Sequence, residues 1–271
     1  DYLAGAYHPV FGIPGAGTDT AMHVPNANGG WGGAARMRVP YLPELNANTP
    51  FTIEFWAVPV NSNDIACPAA SVDFNVTPRK GWLFYQGSST LANPNGWYFR
   101  VCRPDAAVGV GVDMTLDPYT WYHVVGVYDG TNVKLYVNGT LKASAPLNGP
   151  YQPVDSPIIP LTFGGRADGA AGDYGFGGDM DEAAFYGTAL SDARILAHYQ
   201  AGINPTPPTP YNQVVQADAP LGYWRLNESE YIAPDPSTLP VAVNSSTTGA
   251  FYNGAYYPGM ETGVPGVPYT G

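Results

Sequence analysis

The chain has 271 residues, enough for one large or two small domains. Charged residues make up only 12 %, and 11 Lys plus Arg stand against 22 Asp plus Glu, for a net charge of −11. That balance excludes nucleic acid and anionic membrane surfaces as partners, because both need a basic patch, and no apolar run is long enough to insert into a membrane.

The chain opens without a signal-peptide pattern and reads as a mature or excised form. Tyr (20), Gly (33) and Pro (28) are abundant, as in an exported protein or one that packs against copies of itself. Gly5-Ala6-Tyr7-His8-Pro9 matches Gly254-Ala255-Tyr256-Tyr257-Pro258, and Ile13-Pro14-Gly15 matches Val264-Pro265-Gly266. Such self-similarity marks arrays, so the chain reads as starting part-way into one unit and ending part-way into a second. The stretch Asn26-Ala-Asn-Gly-Gly-Trp-Gly-Gly33 places Trp31 and Asn28 on a polar, glycine-rich loop. An aromatic ring with polar neighbours is what a sugar site needs, so Trp31 and Asn28 are the candidate sugar contacts.

From residue 51 the pattern is strand and turn. Phe51 to Val58 alternates, with Phe51, Ile53 and Phe55 on one face. Trp82 to Tyr85, Gly96 to Val101 and Val108 to Val112 are further strands. Trp121 to Tyr128 ends at Asp129-Gly130; Val133 to Val137 meets Asn138-Gly139, a strong hairpin cue, and Thr140 to Ala143 returns. Ile159 to Phe163 and Asp181 to Tyr186 complete the series. Ser191 caps one short helix, with Ile195, Leu196 and Tyr199 as its apolar stripe and Gly202 as its stop. The expected fold is all-β, an antiparallel β-sandwich of jelly-roll type with one short helix.

Residues 204–210, Asn-Pro-Thr-Pro-Pro-Thr-Pro, form a semi-rigid polyproline linker. Beyond it, residues 211–271 hold one evident strand, Leu221 to Leu226, and too few apolar runs for a core of their own.

Taken in order, Phe51-Thr-Ile-Glu-Phe-Trp56, Trp121 through Gly130, Val133 through Gly139, and Gly178-Asp-Met-Asp-Glu-Ala-Ala-Phe-Tyr186 with Ala189-Leu190-Ser191 resemble the laminin G-like, concanavalin A-like jelly-roll family in its bacterial extracellular form. The likeness covers residues 1–203. That family normally opens with a segment like Pro220-Leu-Gly-Tyr-Trp-Arg-Leu-Asn-Glu228, which here follows the domain. The resemblance therefore implies a jelly roll over 1–203 lacking its first strand, and an opening segment of a next unit over 211–271. It also implies an extracellular or cell-surface location, and either carbohydrate binding, adhesion or a structural role.

An unfilled sheet edge invites a donor strand, here Leu221, Tyr223, Trp224, Arg225 and Leu226. Donation to its own domain would give a closed, permuted monomer, whereas donation to the next copy runs head to tail and builds a filament. The sequence reading favours the second: a structural subunit of a self-assembling surface fibre, with a carbohydrate-binding or adhesin module as the alternative. No enzyme is expected, because Glu54 stands alone on its strand and Asp181 and Glu182 point to opposite faces, whereas hydrolysis needs two carboxylates facing one sugar. No cofactor is expected except for one opening: Asp179 and Asp181 are candidate calcium ligands at the sheet rim, where the family often holds the ion. An even, small cysteine count fits one disulfide in an oxidising compartment or two buried thiols, and Cys67 and Cys102 are expected to form the disulfide.

Overall fold

The computed structural model describes residues 20–24, 36–60, 65–87, 96–118, 120–167, 174–204, 206–227, 241–256 and 261–265. In chain order the strands are β1 (Thr20–Val24), β2 (Met37–Val39), β3 (Phe51–Pro59), β4 (Ala69–Asp73), β5 (Lys80–Gln86), β6 (Gly96–Arg103), β7 (Ala106–Asp113) and β8 (Tyr122–Tyr128). They continue with β9 (Asn132–Val137), β10 (Thr140–Pro146), β11 (Leu161–Phe163) and β12 (Gly178–Tyr186). Helices α1 (Asp192–Ile203) and α2 (Tyr211–Gln216) follow, and then β13 (Gly222–Trp224), β14 (Val241–Ala242), β15 (Gly254–Tyr256) and β16 (Glu261–Pro265).

Two antiparallel sheets face one another, as expected for the sandwich. The first runs β10-β9-β8-β3-β12-β1-β16, with β13 beside β12; the second runs β14-β15-β2-β11-β4-β5-β6-β7. The alternation of β3 sends Phe51, Ile53, Phe55 and Ala57 inward, where they meet Trp82 and Phe84 of β5 and Trp97 and Phe99 of β6. Phe55 and Phe84 pack edge to face at 5.0 Å between ring centres, a favourable geometry for the aromatic quadrupoles. The hairpin between β9 and β10 turns on Asn138 (φ 52°) and Gly139 (φ 72°), the positive-φ pair that an Asn-Gly turn supplies.

The C-terminal segment, expected as the opening of a next unit, pairs in this structure with the sheets of its own chain. Its strand lies in its own chain: Gly222, Tyr223 and Trp224 pair with Phe185, Ala184 and Ala183 of β12, and the Leu221 N–H donates to the Phe185 carbonyl at 2.8 Å. β15 adds to the edge of β2, and β16 adds to β1. Strands β13 to β16 therefore add to both sheets of the sandwich that β1 to β12 begin. The linker does not hold the segment away. It returns the chain onto the outer side of the first sheet, where Tyr211 is buried and its hydroxyl accepts from Trp56 Nε1 at 2.9 Å.

Three smaller expectations change with it. Ser191 does cap α1, accepting from the Arg194 N–H at 3.4 Å, but Gly202 does not stop the helix. Gly202 is needed because the Trp56 ring lies on it: an added Cβ would sit 2.2 Å from Trp56 Cζ2. Leu196 is exposed, and His198 takes the buried place on the helix instead. Cys67 and Cys102 are both free and buried. Cys102 lies across from the Gly81 end of β5, next to the Trp82–Val101 pair, whereas Cys67 follows Ala66, which bridges to Gln86 at the other end. From Gly81 to Gln86 a strand rises about 16 Å, more than twice the ~7 Å Cα separation a disulfide tolerates.

Candidate functional site: a sealed charge clasp and an open aromatic face

The outer side of the first sheet carries the carboxylates. Glu54 of β3 is wholly buried, and its oxygens accept from His123 Nε2 at 3.0 Å, from His198 Nδ1 at 3.0 Å and from the Tyr186 hydroxyl. His198 Nε2 donates in turn to Asp218 at 2.7 Å, and Arg194 Nε also donates to Asp218 at 2.8 Å. Burial alone would raise the Glu54 carboxyl, but the His198 charge and the two imidazole hydrogen bonds outweigh it and hold it far below the usual carboxylate range. Burial alone would lower His198, but the Glu54 charge and the bond to Asp218 raise it to about 9. His198 is thus a cation with both nitrogens facing carboxylates. His123 is lowered by burial and stays neutral, donating from Nε2 while Nδ1 has no partner.

β12 shows why Asp181 and Glu182 do not point apart as a regular strand would have them. Its first part pairs with β1 and its last part with β13, and between them the register against β3 shifts. Glu182 takes φ 51° at this bulge, and the Asp181 carboxylate accepts its N–H at 2.9 Å. The bulge costs of order 1–3 kcal/mol and re-aims the side chain. Glu182 is fully buried and accepts from the Tyr223 hydroxyl and from Arg225 Nε at 3.1 Å. Glu54 and Glu182 therefore both grip the C-terminal segment, one through His198 and Asp218, the other through Tyr223 and Arg225. Neither has any surface for a substrate.

Of the other expected site residues, Asp179 pairs with His23 Nδ1 at 2.6 Å, and Asp181 serves the bulge as described. Among the described residues no group of three or more His, Cys, Asp or Glu gathers as a metal site would. Trp31 and Asn28 lie outside the described residues.

The clasp makes stability depend on pH. The raised His198 contributes stability that is fully present below pH 6.5, its unfolded value, and is lost as pH rises through about 9. The lowered Glu54 and Asp218 contribute stability that is present above their unfolded values of 4.5 and 3.8 and lost as pH falls below them. The lowered His123 also loses its contribution on the acid side, as pH falls below its unfolded 6.5. The urea midpoint is expected to peak near pH 6.5 and to fall between pH 6.5 and 9 by the equivalent of about 3 kcal/mol at most. In His198→Gln the alkaline fall should vanish; a wild-type midpoint that stays flat to pH 9 would contradict the assignment.

The outer side of the second sheet is different. Trp97, Phe99 and Val101 of β6 point into the core, so Tyr98 and Arg100 point out. Tyr98 stands opposite Gly111 and Arg100 opposite Gly109 on β7. These glycines leave the middle of the edge strand, between Ala107 and Asp113, without side chains on that face, and the Tyr98 ring leans across it: an added Cβ at Gly109 would lie 1.9 Å from the Tyr98 hydroxyl oxygen. Tyr98 and Arg100 are both half-buried. Across β5, Leu83 pairs with Arg100 and Tyr85 with Tyr98, and burial pushes the Tyr85 hydroxyl up to about 12. Arg166 donates to the Tyr85 hydroxyl at 3.4 Å, and its guanidinium lies 4.3 Å from the centre of the Phe74 ring. Arg79 lies 4.3 Å from the same ring. The result is a continuous face of tyrosine, phenylalanine and arginine, open around Tyr98, Arg100 and Arg79.

A family model described as the concanavalin A-like lectin/glucanases superfamily, of laminin G type, matches residues 29–196. The chain belongs to that superfamily. Its fold also matches that of a Bacteroides ovatus protein ascribed a carbohydrate-binding role, at TM-score 0.60 and 16 % identity, over 94 % of this chain and 62 % of that one. This superfamily member thus spans less than two thirds of that protein's length. A heptameric SAP-like pentraxin from Limulus polyphemus matches at TM-score 0.50 and 12 % identity, over 70 % of this chain and 86 % of that one. At these identities the likeness is one of fold. Among curated proteins no significant sequence match is found.

Proposed function

We propose that this superfamily member is a non-catalytic, extracellular carbohydrate-binding module and that its ligand sits on the open face of the second sheet. The observation that carries the reading is the Tyr98 ring held against Gly109, half-exposed, with the Arg100 guanidinium beside it. An apolar ring face with hydrogen-bond donors at its rim suits the mixed apolar and polar surface of a sugar. Membership of a lectin superfamily and the likeness to the Bacteroides ovatus protein support binding over catalysis, as does the burial of Glu54 and Glu182. The fibre reading is less favoured, because the strand it needs for a neighbour is paired with β12 of its own chain.

Affinity electrophoresis through gels containing a panel of polysaccharides tests the proposal. At least one polymer should retard the protein, and Tyr98→Ala should weaken that retention about tenfold, equivalent to ~1.4 kcal/mol. Gly109→Ala should weaken it similarly by lifting the ring, with thermal stability changed by no more than about 1 kcal/mol, since the displaced group is the far end of one side chain. Unchanged retention in both variants would show that the platform is not the site.

A further inference from the structure

Resting on the binding role proposed for this face, we infer that its ligand is an acidic sugar, one that presents a carboxylate to Arg100 while its ring lies on Tyr98. The chain has few cations and a net charge of −11, so a cluster of arginines on one face is against the trend of the whole molecule. Arg79, Arg100 and Arg166 gather around Phe74, Tyr85 and Tyr98. Asp155 pairs with Lys80 at 2.5 Å and Asp105 with Arg103 at 3.0 Å, and Asp113 stands on the same face of β7, two residues beyond Gly111 and opposite Gly96. Arg100 has no hydrogen-bond or ion-pair partner among the described residues, and Arg79 has only its ring contact.

A guanidinium needs its charge answered when it is half-buried, and its planar fork matches a carboxylate through two parallel hydrogen bonds. Arg100 and Tyr98 stand two residues apart on one strand face, about 6.6 Å, so a ring stacked on Tyr98 brings its own substituent to Arg100. Long-range charge works against such a ligand, because the protein as a whole repels polyanions. Attraction has to be local, within the ~8 Å over which charges act at physiological salt. Binding of an acidic polymer is therefore specific to this face and not a general ionic effect.

The probe is polygalacturonate, compared at physiological salt with the same polymer methyl-esterified, with neutral galactan and with dextran sulfate. The expected result is retention by polygalacturonate at least about tenfold stronger than by the ester, with Arg100→Gln removing most of that difference. Arg79→Gln should reduce it less, and both variants should melt within a few degrees of the parent, as Arg100 makes no hydrogen bond or ion pair among the described residues and Arg79 gives up only its contact with the Phe74 ring. Equal retention by acid and ester, unaffected by Arg100→Gln, would overturn the acidic class while leaving the Tyr98 platform standing. Equal retention by dextran sulfate and polygalacturonate would overturn the carboxylate preference. Failure of all these polymers would overturn the inference, and failure of the wider panel as well would overturn the binding role beneath it.

Discussion

Replacing Glu54 by Ala is expected to destabilise the protein by about 3–5 kcal/mol, the usual cost of leaving a buried charge without its partner. The bound groups explain the size. Glu54 is the shared acceptor of His123, His198 and Tyr186, all of them buried. Its removal leaves the cationic His198 with Asp218 alone and leaves two further donors unsatisfied. Glu54→Gln keeps the volume and one acceptor oxygen and should cost less, while Glu54→Ala combined with His198→Leu should recover part of the loss, because it removes the stranded charge. Urea unfolding of the parent, Glu54→Ala, His198→Leu and the double variant measures the coupling as a double-mutant cycle. Additive losses would mean that His198 and Glu54 do not act together.

The same side chain shows how far the sequence could be read. Glu54 sits in the alternating run from Phe51 to Val58, and that alternation places β3 and its core face directly. It could not reveal that the other face is buried too, because the cover comes from α1 and α2, far along the chain. A lone acidic residue therefore looked idle when it is the centre of a network. Asp181 and Glu182 misled for a related reason: a bulge breaks the period of two on which their opposite facing rested, and nothing local announces it. Of the short strands, β2 has only three residues, and β1 (Thr-Ala-Met-His-Val) and β4 (Ala-Ala-Ser-Val-Asp) lack a clean alternation of apolar and polar residues. The Tyr98 platform, by contrast, left a signal. Val108-Gly109-Val110-Gly111-Val112 sets glycine on every second position, which bares one face of a strand for a neighbouring ring. The cysteines carried no geometric information, and only the register of β5 separates them.

Removing residues 206–271 is expected to abolish cooperative folding, not merely to weaken it. The segment buries Tyr211, Val215, Tyr223, Trp224, Leu226, Ala242 and Tyr256. At about 1.5–3 kcal/mol for each large side chain, the loss is of order 10 kcal/mol, comparable with the 5–15 kcal/mol that holds an entire domain together. Its loss also bares the outer side of the first sheet, so that Trp56, Glu54 and His198 meet water without Tyr211 or Asp218. The last part of β12 would lose the partner that pairs with Ala183, Ala184 and Phe185, and β2 would lose β15, leaving unpaired backbone along both sheets. The truncated chain should give a non-cooperative urea transition and a strong tendency to aggregate. Supplying residues 206–271 as a separate polypeptide during refolding should restore a single sharp transition, because the contacts are the same whether or not the linker joins them. The intact chain should run as a monomer, since its own segment reaches its own sheets at the high effective concentration that a short linker provides. A truncated protein that unfolds cooperatively within about 1 kcal/mol of the parent would show that the C-terminal segment is an accessory to the sandwich and not part of it.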